Sequence, residues 1–347
     1  MAFAPPGGNN TYIPRFDLAG SIVVDFTRNP KKFAINKLVK SISVEHQVGK
    51  YMYWDQNDIA RFKSGNTDAY KWAPGSSQNP GVEESFGFEF REYRTQRRRY
   101  GSQLDQLGVD QASFPVLESY TKLLAQKAMT GRAIDFSTLI TTSGNHTSGH
   151  YSASTALGTG GKWDTGTATN PVLKKGLDAA AQIIQRDTVS AVDWSQLTIV
   201  MNSKTAQALS ATAEIHSYLQ QSQYALAQVK GLVDGQNARW GLPDTIYGYR
   251  VAVEDLFYND DNKLSSSVQS TPVFPDDTLV MMLRDGDQEG QLDSVNFSTV
   301  SMFVKEDMSV QTLTNDWERN TLLRVVDDYQ MKMVAPVTAY LVTDVLS

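Results

Sequence analysis

Residues 82–100, VEESFGFEFREYRTQRRRY, place Phe86, Phe88 and Phe90 at period two and continue as a strand pattern into the arginines. In extended form residues 86–100 run about 50 Å at about 3.3 Å per residue, while a small domain is about 30 Å across. A strand of that length projects from whatever body carries it. Residues 48–62, VGKYMYWDQNDIARF, read as a second long strand, and KSGNTDAYKWAPGSSQNPG between the two is rich in turn formers. The two strands predict a long hairpin. A two-stranded ribbon is marginal alone and its edges invite pairing, so the hairpin is expected to lie on a neighbouring copy with Phe86, Phe88 and Phe90 at the contact.

The same stretch gathers Arg91, Arg94, Arg97, Arg98 and Arg99 against Glu92 alone. That is a local charge of +4 in a chain of net charge −6, so everything else sums to −10. A nucleic-acid-binding protein is more often basic over a whole face, which makes acidic protein surface the expected partner of this cluster. Guanidinium meets carboxylate through two parallel hydrogen bonds, so the five arginines are candidate subunit-interface residues. The plainer reading is a solvated strand end, where isolated surface pairs contribute about 0–1 kcal/mol.

A chain of 347 residues buries a large core and suggests two or three modules. It contains no cysteine, which excludes disulfides, thiolate metal sites and a cysteine nucleophile. The start, MAFAPPGGNNTYIPRFD, lacks the basic and apolar regions of a signal peptide, and no run approaches the roughly 18–20 apolar residues of a membrane span. A cytoplasm-like compartment is expected.

Residues 1–20 read as an extended arm that folds only against something else. After the hairpin, SFPVLESYTKLLAQKAMTGRAI predicts the best helix, with Ser113 as N-cap, Pro115 in the first turn, and Val116, Tyr120, Leu123, Leu124, Lys127 and Met129 at helical spacing. Residues 144–170 are a long Gly/Ser/Thr loop of the kind that separates modules or carries function. Asn170 and Pro171 then open a helix marked by Leu173, Leu177, Ala180 and Ile184. LTIVM at 197–201 is a buried strand, NSKTAQALSA restarts a helix, and a further helix covers 214–230. Strands at 247–254 and 278–283 complete an α/β unit, and three strand-like stretches follow from residue 297.

Chemical motifs are sparse. His146 and His150 are four apart, as helical metal ligands are, but GNHTSGHYS is too rich in Gly and Ser for a helix, so they read as solvated loop histidines. The segment 284–296, RDGDQEGQLDSVN, matches a calcium loop at Asp285, Asp287, Glu289 and Gly290, yet carries Asn296 where a bidentate Glu is needed, so residues 285–290 read as an acidic turn. Glu83 with Glu84, and Asp327 with Asp328, are adjacent on strands and point to opposite faces. No nucleophile elbow, phosphate loop or dinucleotide fingerprint occurs. The sequence therefore predicts no catalytic residue, no metal site and no cofactor.

The order of arm, projecting hairpin, long helix, α/β insert and returning strands resembles the major capsid proteins of tailed bacteriophages, whose fold is shared by herpesvirus capsid floors and bacterial encapsulins. The stretches carrying the resemblance are WSQLTIVMNSKTAQAL, GLPDTIYGYRVAVEDLFY and RNTLLRVVDDYQMKMVAPVTAYLVTDVL. The resemblance implies an α+β fold: an N-terminal arm at 1–45, an extended β-hairpin loop at 46–104, a peripheral domain with a spine helix at 105–169, an α/β axial domain at 170–294, and peripheral strands returning at 295–347. It implies a structural protein that self-assembles into hexamers and pentamers of an icosahedral head around double-stranded DNA, located in the virion and assembled in the host cytoplasm. Because the mature arm follows Met1 closely, scaffolding is expected to come from a separate protein or to be unnecessary; a portal and a decoration protein are further implied partners. An encapsulin-like compartment and a cytosolic hydrolase are the alternatives.

Overall fold

The computed structural model describes residues 13–14, 38–54, 88–106, 116–158, 160–232, 235, 237–259, 270–284, 298–315 and 317–347. Its strands, in chain order, are β1 (Ile13–Pro14), β2 (Lys40–Ser43), β3 (Val48–Trp54), β4 (Phe88–Arg94), β5 (Gln96–Asp105), β6 (Tyr151–Ala153), β7 (Leu197–Asn202), β8 (Thr245–Ile246), β9 (Tyr249–Glu254), β10 (Phe257–Asn259), β11 (Ser270–Pro272), β12 (Thr278–Leu283), β13 (Val300–Asn315), β14 (Asn320–Met333) and β15 (Ala339–Thr343). The helices are α1 (Val116–Thr141), α2 (Val172–Asp187), α3 (Ser203–Ser210), α4 (Ala213–Gln221) and α5 (Gln223–Val229). The α+β class expected from the sequence is the class observed.

Two sheets organise these elements. One runs β1-β13-β14-β5 with β2 also on β13, and the other runs β6-β15-β12-β7-β9-β8. The second sheet is apolar on both faces, which explains the unbroken run Thr-Leu-Val-Met-Met-Leu of β12, buried at every position. Leu279, Met281 and Leu283 face α2 through α5, in a core with Ile184, Leu209 and Ile215. Val280 and Met282 face the other way, into a core made by α1 with Val310, Leu323 and Val325 of the first sheet. The α1 helix thus packs on both sheets.

The last strand, β15, pairs with β12 and β6 and so joins the second sheet. Its side chains still divide between the two cores: Tyr340 and Val342 go to one, and Ala339 and Leu341 to the α1 core. Leu341 is 1% exposed, so Leu341→Ala should destabilise the subunit by about 2–5 kcal/mol, read as a lower denaturant midpoint before any assembly. Val334 and Val337, between β14 and β15, are half-buried.

The structure shifts the phase of α1. Its buried stripe is Thr121, Leu124, Ala125, Ala128, Met129, Arg132, Ala133, Phe136, Ser137 and Ile140 behind Val116, whereas Tyr120, Leu123 and Lys127 face solvent. Polar residues inside the stripe are what displaced the apolar count. The expected cap Ser113 lies outside the described residues. The single helix expected over 214–230 is two, because the Ser222 hydroxyl accepts from Ala225 N–H and starts α5 afresh.

The 144–170 segment is packed rather than a spacer. Trp163 is fully buried, lies against Gly176 of α2, and its backbone N–H donates to Val345 O at 2.9 Å. The first turn of α2 is capped from a distance: the buried Glu214 carboxylate accepts from Leu173 N–H at 3.0 Å and Lys174 N–H at 2.9 Å. A negative charge at a helix N-terminus is favourable, and here α4 supplies it.

Both loop histidines are buried, against the expectation of solvated side chains. His146 Nε2 donates to Ile140 O at 2.7 Å at the end of α1. His150 Nδ1 donates to Ala339 O at 3.0 Å, and its Nε2 lies 2.9 Å from Asp187 Oδ2, which ties β15 to the end of α2. Burial pushes His146 below its usual 6.5, against the pull of its bond to Ile140, and nearby His150 adds to the lowering. The unfolded chain therefore binds this proton more readily than the folded one. The stability carried by neutral His146 is present above about pH 6.5 and is lost as pH falls from there through the folded value. Urea midpoints measured down through that range should fall, and His146→Gln should flatten that part of the curve.

Candidate assembly interface

The hairpin begins as expected. β3 pairs antiparallel with β4 from Val48 opposite Arg94 to Trp54 opposite Phe88. Its tip, the acidic turn at 285–290 and Phe86 lie outside the described residues. The run read as one strand over 82–100 divides at Thr95, whose N–H donates to Gln47 O at 2.8 Å. Beyond it β5 leaves the ribbon and pairs with β14, Gln96 opposite Tyr329 through Asp105 opposite Asn320. Arg91 and Arg94 therefore belong to the ribbon, and Arg97, Arg98 and Arg99 to the body.

One ribbon face is anchored on the first sheet. Tyr93 stacks on Phe303 with ring centroids 4.8 Å apart, and Tyr51 packs on the same ring at 5.3 Å. Gly49 is required there, because a Cβ would occupy the space of the Tyr93 ring. Gln47 Nε2 donates to Asp328 Oδ2 at 2.9 Å, Arg94 N–H to Gln330 Oε1 at 2.7 Å, and Lys332 Nζ to Glu92 O at 2.7 Å. The other ribbon face exposes Val48, Met52 and Phe90, at 59%, 52% and 61%. In backbone register Phe88 stands opposite Trp54.

The arginines differ in what they meet. Arg91 lies over the Tyr53 ring at 3.5 Å and 3.8 Å from Glu89. Arg98 is held within its own chain: it reaches Asp135 of α1 at 2.8 Å, donates to Tyr329 O at 3.2 Å, and lies 4.2 Å over the Tyr329 ring. Arg97 points to the opposite face, 3.6 Å from Glu306 and 3.8 Å from Asp328. The side chains of Arg94 and Arg99 are exposed and make no ion pair among the described residues. Carboxylates of the same chain thus answer Arg97 and Arg98, while Arg94 and Arg99 keep their charge on the surface.

Beneath them lies an ion-pair network that the sequence reading did not find. Arg132, 7% exposed, donates from Nε to Asp327 Oδ2 at 2.7 Å and from Nη2 to Asp327 Oδ1 at 2.5 Å, a two-pronged bond. Its Nη2 also donates to Asp307 Oδ1 at 2.7 Å, from a stretch where β13 bulges between Val304 and Ser309. Burial alone would lower the Arg132 pKa, but its bonds to Asp327 and Asp307 outweigh that and raise it. Tyr329 donates to Asp135 at 2.7 Å, and burial pushes its phenol well above the ordinary value. The signals were present: an arginine within the apolar stripe of α1, and two aspartates within VVDDY. Asp327 faces α1 and Asp328 the ribbon, as strand alternation requires.

No protein-family model matches the chain, and no curated protein matches its sequence. Solved structures do match. A phage-related protein from Bordetella bronchiseptica RB50 superposes with a TM-score of 0.63 at 10% identity, covering 96% of this chain and 98% of that one. The capsid of the cyanophage P-SCSP1u follows with a TM-score of 0.52 at 10% identity, over 90% of this chain and 88% of that one. The mature capsid of bacteriophage PhiM1 gives 0.50 at 10% identity, over 90% and 86%. The chain has the phage capsid fold. The superposition on the phage-related protein takes in 96% of the chain, and those on the two capsids 90%. At this identity the likeness is one of backbone architecture. The arginine cluster, the Arg132 network and the exposed ribbon face are described by this chain's own geometry.

Proposed function

We propose that this chain is the major capsid protein of a tailed phage, a structural protein without catalytic activity that tiles an icosahedral head around double-stranded DNA. The observation that carries the reading is the nearly end-to-end correspondence of its fold with a phage-related protein and phage capsids. Its surface supports it. A ribbon is fixed to the body on one face by Tyr51 and Tyr93 and exposes apolar Val48, Met52 and Phe90 on the other, which suits a neighbouring copy. Arg91, Arg94, Arg97, Arg98 and Arg99, with Phe86, Phe88 and Phe90, form the proposed contact. Arg94 and Arg99 reach the neighbour's carboxylates, and Arg97 and Arg98 hold β5, the strand that presents Arg99.

In this reading residues 1–45 are the arm, 46–104 the extended loop, 105–169 and 295–347 the peripheral domain, and 170–294 the axial domain around which hexamers and pentamers close. A scaffolding protein and a portal are its partners in the host cytoplasm, with a decoration protein on the finished head. The net charge of −6 limits adhesion to the packaged genome. Electron microscopy of the purified protein, alone and with a co-expressed scaffold, tests the reading. Shells or capsomers are the expected result, with DNA-filled heads in infected cells. Closed shells carrying protein cargo favour a compartment instead, and monomers at every salt and concentration sink both.

A further inference from the structure

Among the described residues four glycines stand inside α-helices or β-strands, at 49, 101, 131 and 176. Three are covered by a ring of the same chain: Tyr93 lies over Gly49, Tyr100 over Gly131 and Trp163 over Gly176. Gly101 in β5 is not. A Cβ there would meet only Leu323 O at 3.5 Å and Arg324 Cβ at 3.6 Å, both ordinary contacts. Over Gly101 the sheet surface carries a notch of about 360 Å³, walled by Arg99, Gln103, Leu322 and Arg324. Gln311 Oε1 accepts from Arg324 Nε at 2.8 Å and holds that guanidinium at the rim.

A strand glycine bordered by two guanidinium groups and a leucine is a seat for a flat aromatic ring. The ring covers the bare backbone, and the cations meet its π face. Trp317, 94% exposed, is the most exposed large apolar side chain among the described residues. It stands in the turn between β13 and β14, followed by exposed Glu318, whose charge complements Arg99 and Arg324. Burying an indole is worth far more than leaving it in water, and tryptophan and arginine are the residues that most often dominate interfaces.

We propose that Trp317 of one copy inserts into the Gly101 notch of a second copy, with Glu318 against Arg99 and Arg324. Trp317 and Gly101 lie at different places on one chain, so a one-way contact continues from copy to copy into a ring or a shell, while a reciprocal one closes a pair. It rests on the self-assembly proposed above and names one of its contacts.

Two measurements on the full chain test it. Gly101→Val covers the bare backbone at the floor of the notch, in a strand conformation that accepts a branched side chain, and Trp317→Ala removes the anchor. Both should leave the subunit's melting unchanged and lower the assembled fraction at a given concentration about tenfold or more, by light scattering and electron microscopy. The chain contains no cysteine, so Glu318→Cys and Gln103→Cys carried on separate copies give a clean crosslink. Mixed, assembled and oxidised with oxidised glutathione, they should form a disulfide between copies, while either variant alone should not. If the wild type assembles but no mixed disulfide forms and both substitutions assemble normally, the notch contact is wrong and the capsid reading stands. A wild type that never associates overturns both.

Discussion

Arg132→Met is expected to lower the stability of the isolated subunit by about 3–5 kcal/mol, the cost of stranding a buried carboxylate whose partner has been removed. Asp327 is fully buried and receives both prongs of the guanidinium, while Asp307 reaches the same Nη2 from the β13 bulge. Removing the cation leaves these carboxylates facing each other under α1 with no charge between them. Arg132→Lys should recover part of the loss, since an ammonium restores the charge but not the two-pronged geometry. Arg132→Met combined with Asp327→Leu should recover more, because the fully buried carboxylate then leaves with its cation. Denaturant midpoints of the four proteins decide it. A loss below about 1 kcal/mol in the single variant would mean that water reaches Asp327 and that the network is not closed.

Charge reversal on the surface should separate folding from assembly. Arg94→Glu with Arg99→Glu alters two exposed side chains without an ion pair among the described residues, so the melting of the subunit should stay nearly unchanged while shell formation is abolished or misdirected. Moderate salt should weaken wild-type assembly in the same direction. Arg97→Glu is expected to behave differently. The new carboxylate would sit near Glu306, 3.6 Å from the present guanidinium, and near the buried Asp328, 3.8 Å from it. Asp328 Oδ1 already has no hydrogen-bond partner among the described residues, so the isolated subunit should melt lower. Normal shells from the Arg94 and Arg99 double reversal would return these arginines to solvated strand positions. A fall in its melting equal to that of Arg97→Glu would show that they are part of the body.

Much of the architecture was legible locally. β12 occupies Thr278–Leu283 and β7 occupies Leu197–Asn202, where short apolar runs predicted buried strands. The hairpin was readable because its period-two pattern and Gly/Pro-rich tip are properties of near neighbours in the chain, and β3 pairs with β4 as that pattern required. The chain also concentrates +4 of charge between residues 91 and 99, whatever it folds into.

What stayed hidden depends on residues far apart. The phase of α1 was misjudged because Arg132 belongs to its buried stripe only when Asp327, 195 residues away, is there to receive it. The cap of α2 is Glu214, 41 residues beyond Leu173, and no local cap sequence could announce it. His146 and His150 read as solvated in a Gly/Ser-rich stretch, yet inside the protein Ile140 O meets one ring nitrogen of His146, and Ala339 O and Asp187 meet both of His150. Sequence alone determined where strands and helices form and where charge collects, since backbone preference and hydrophobic period act over a few residues. Only the tertiary structure decided which polar groups are buried and which arginines remain for a partner, because burying a charge is tolerable only where folding delivers its counter-charge within hydrogen-bond reach.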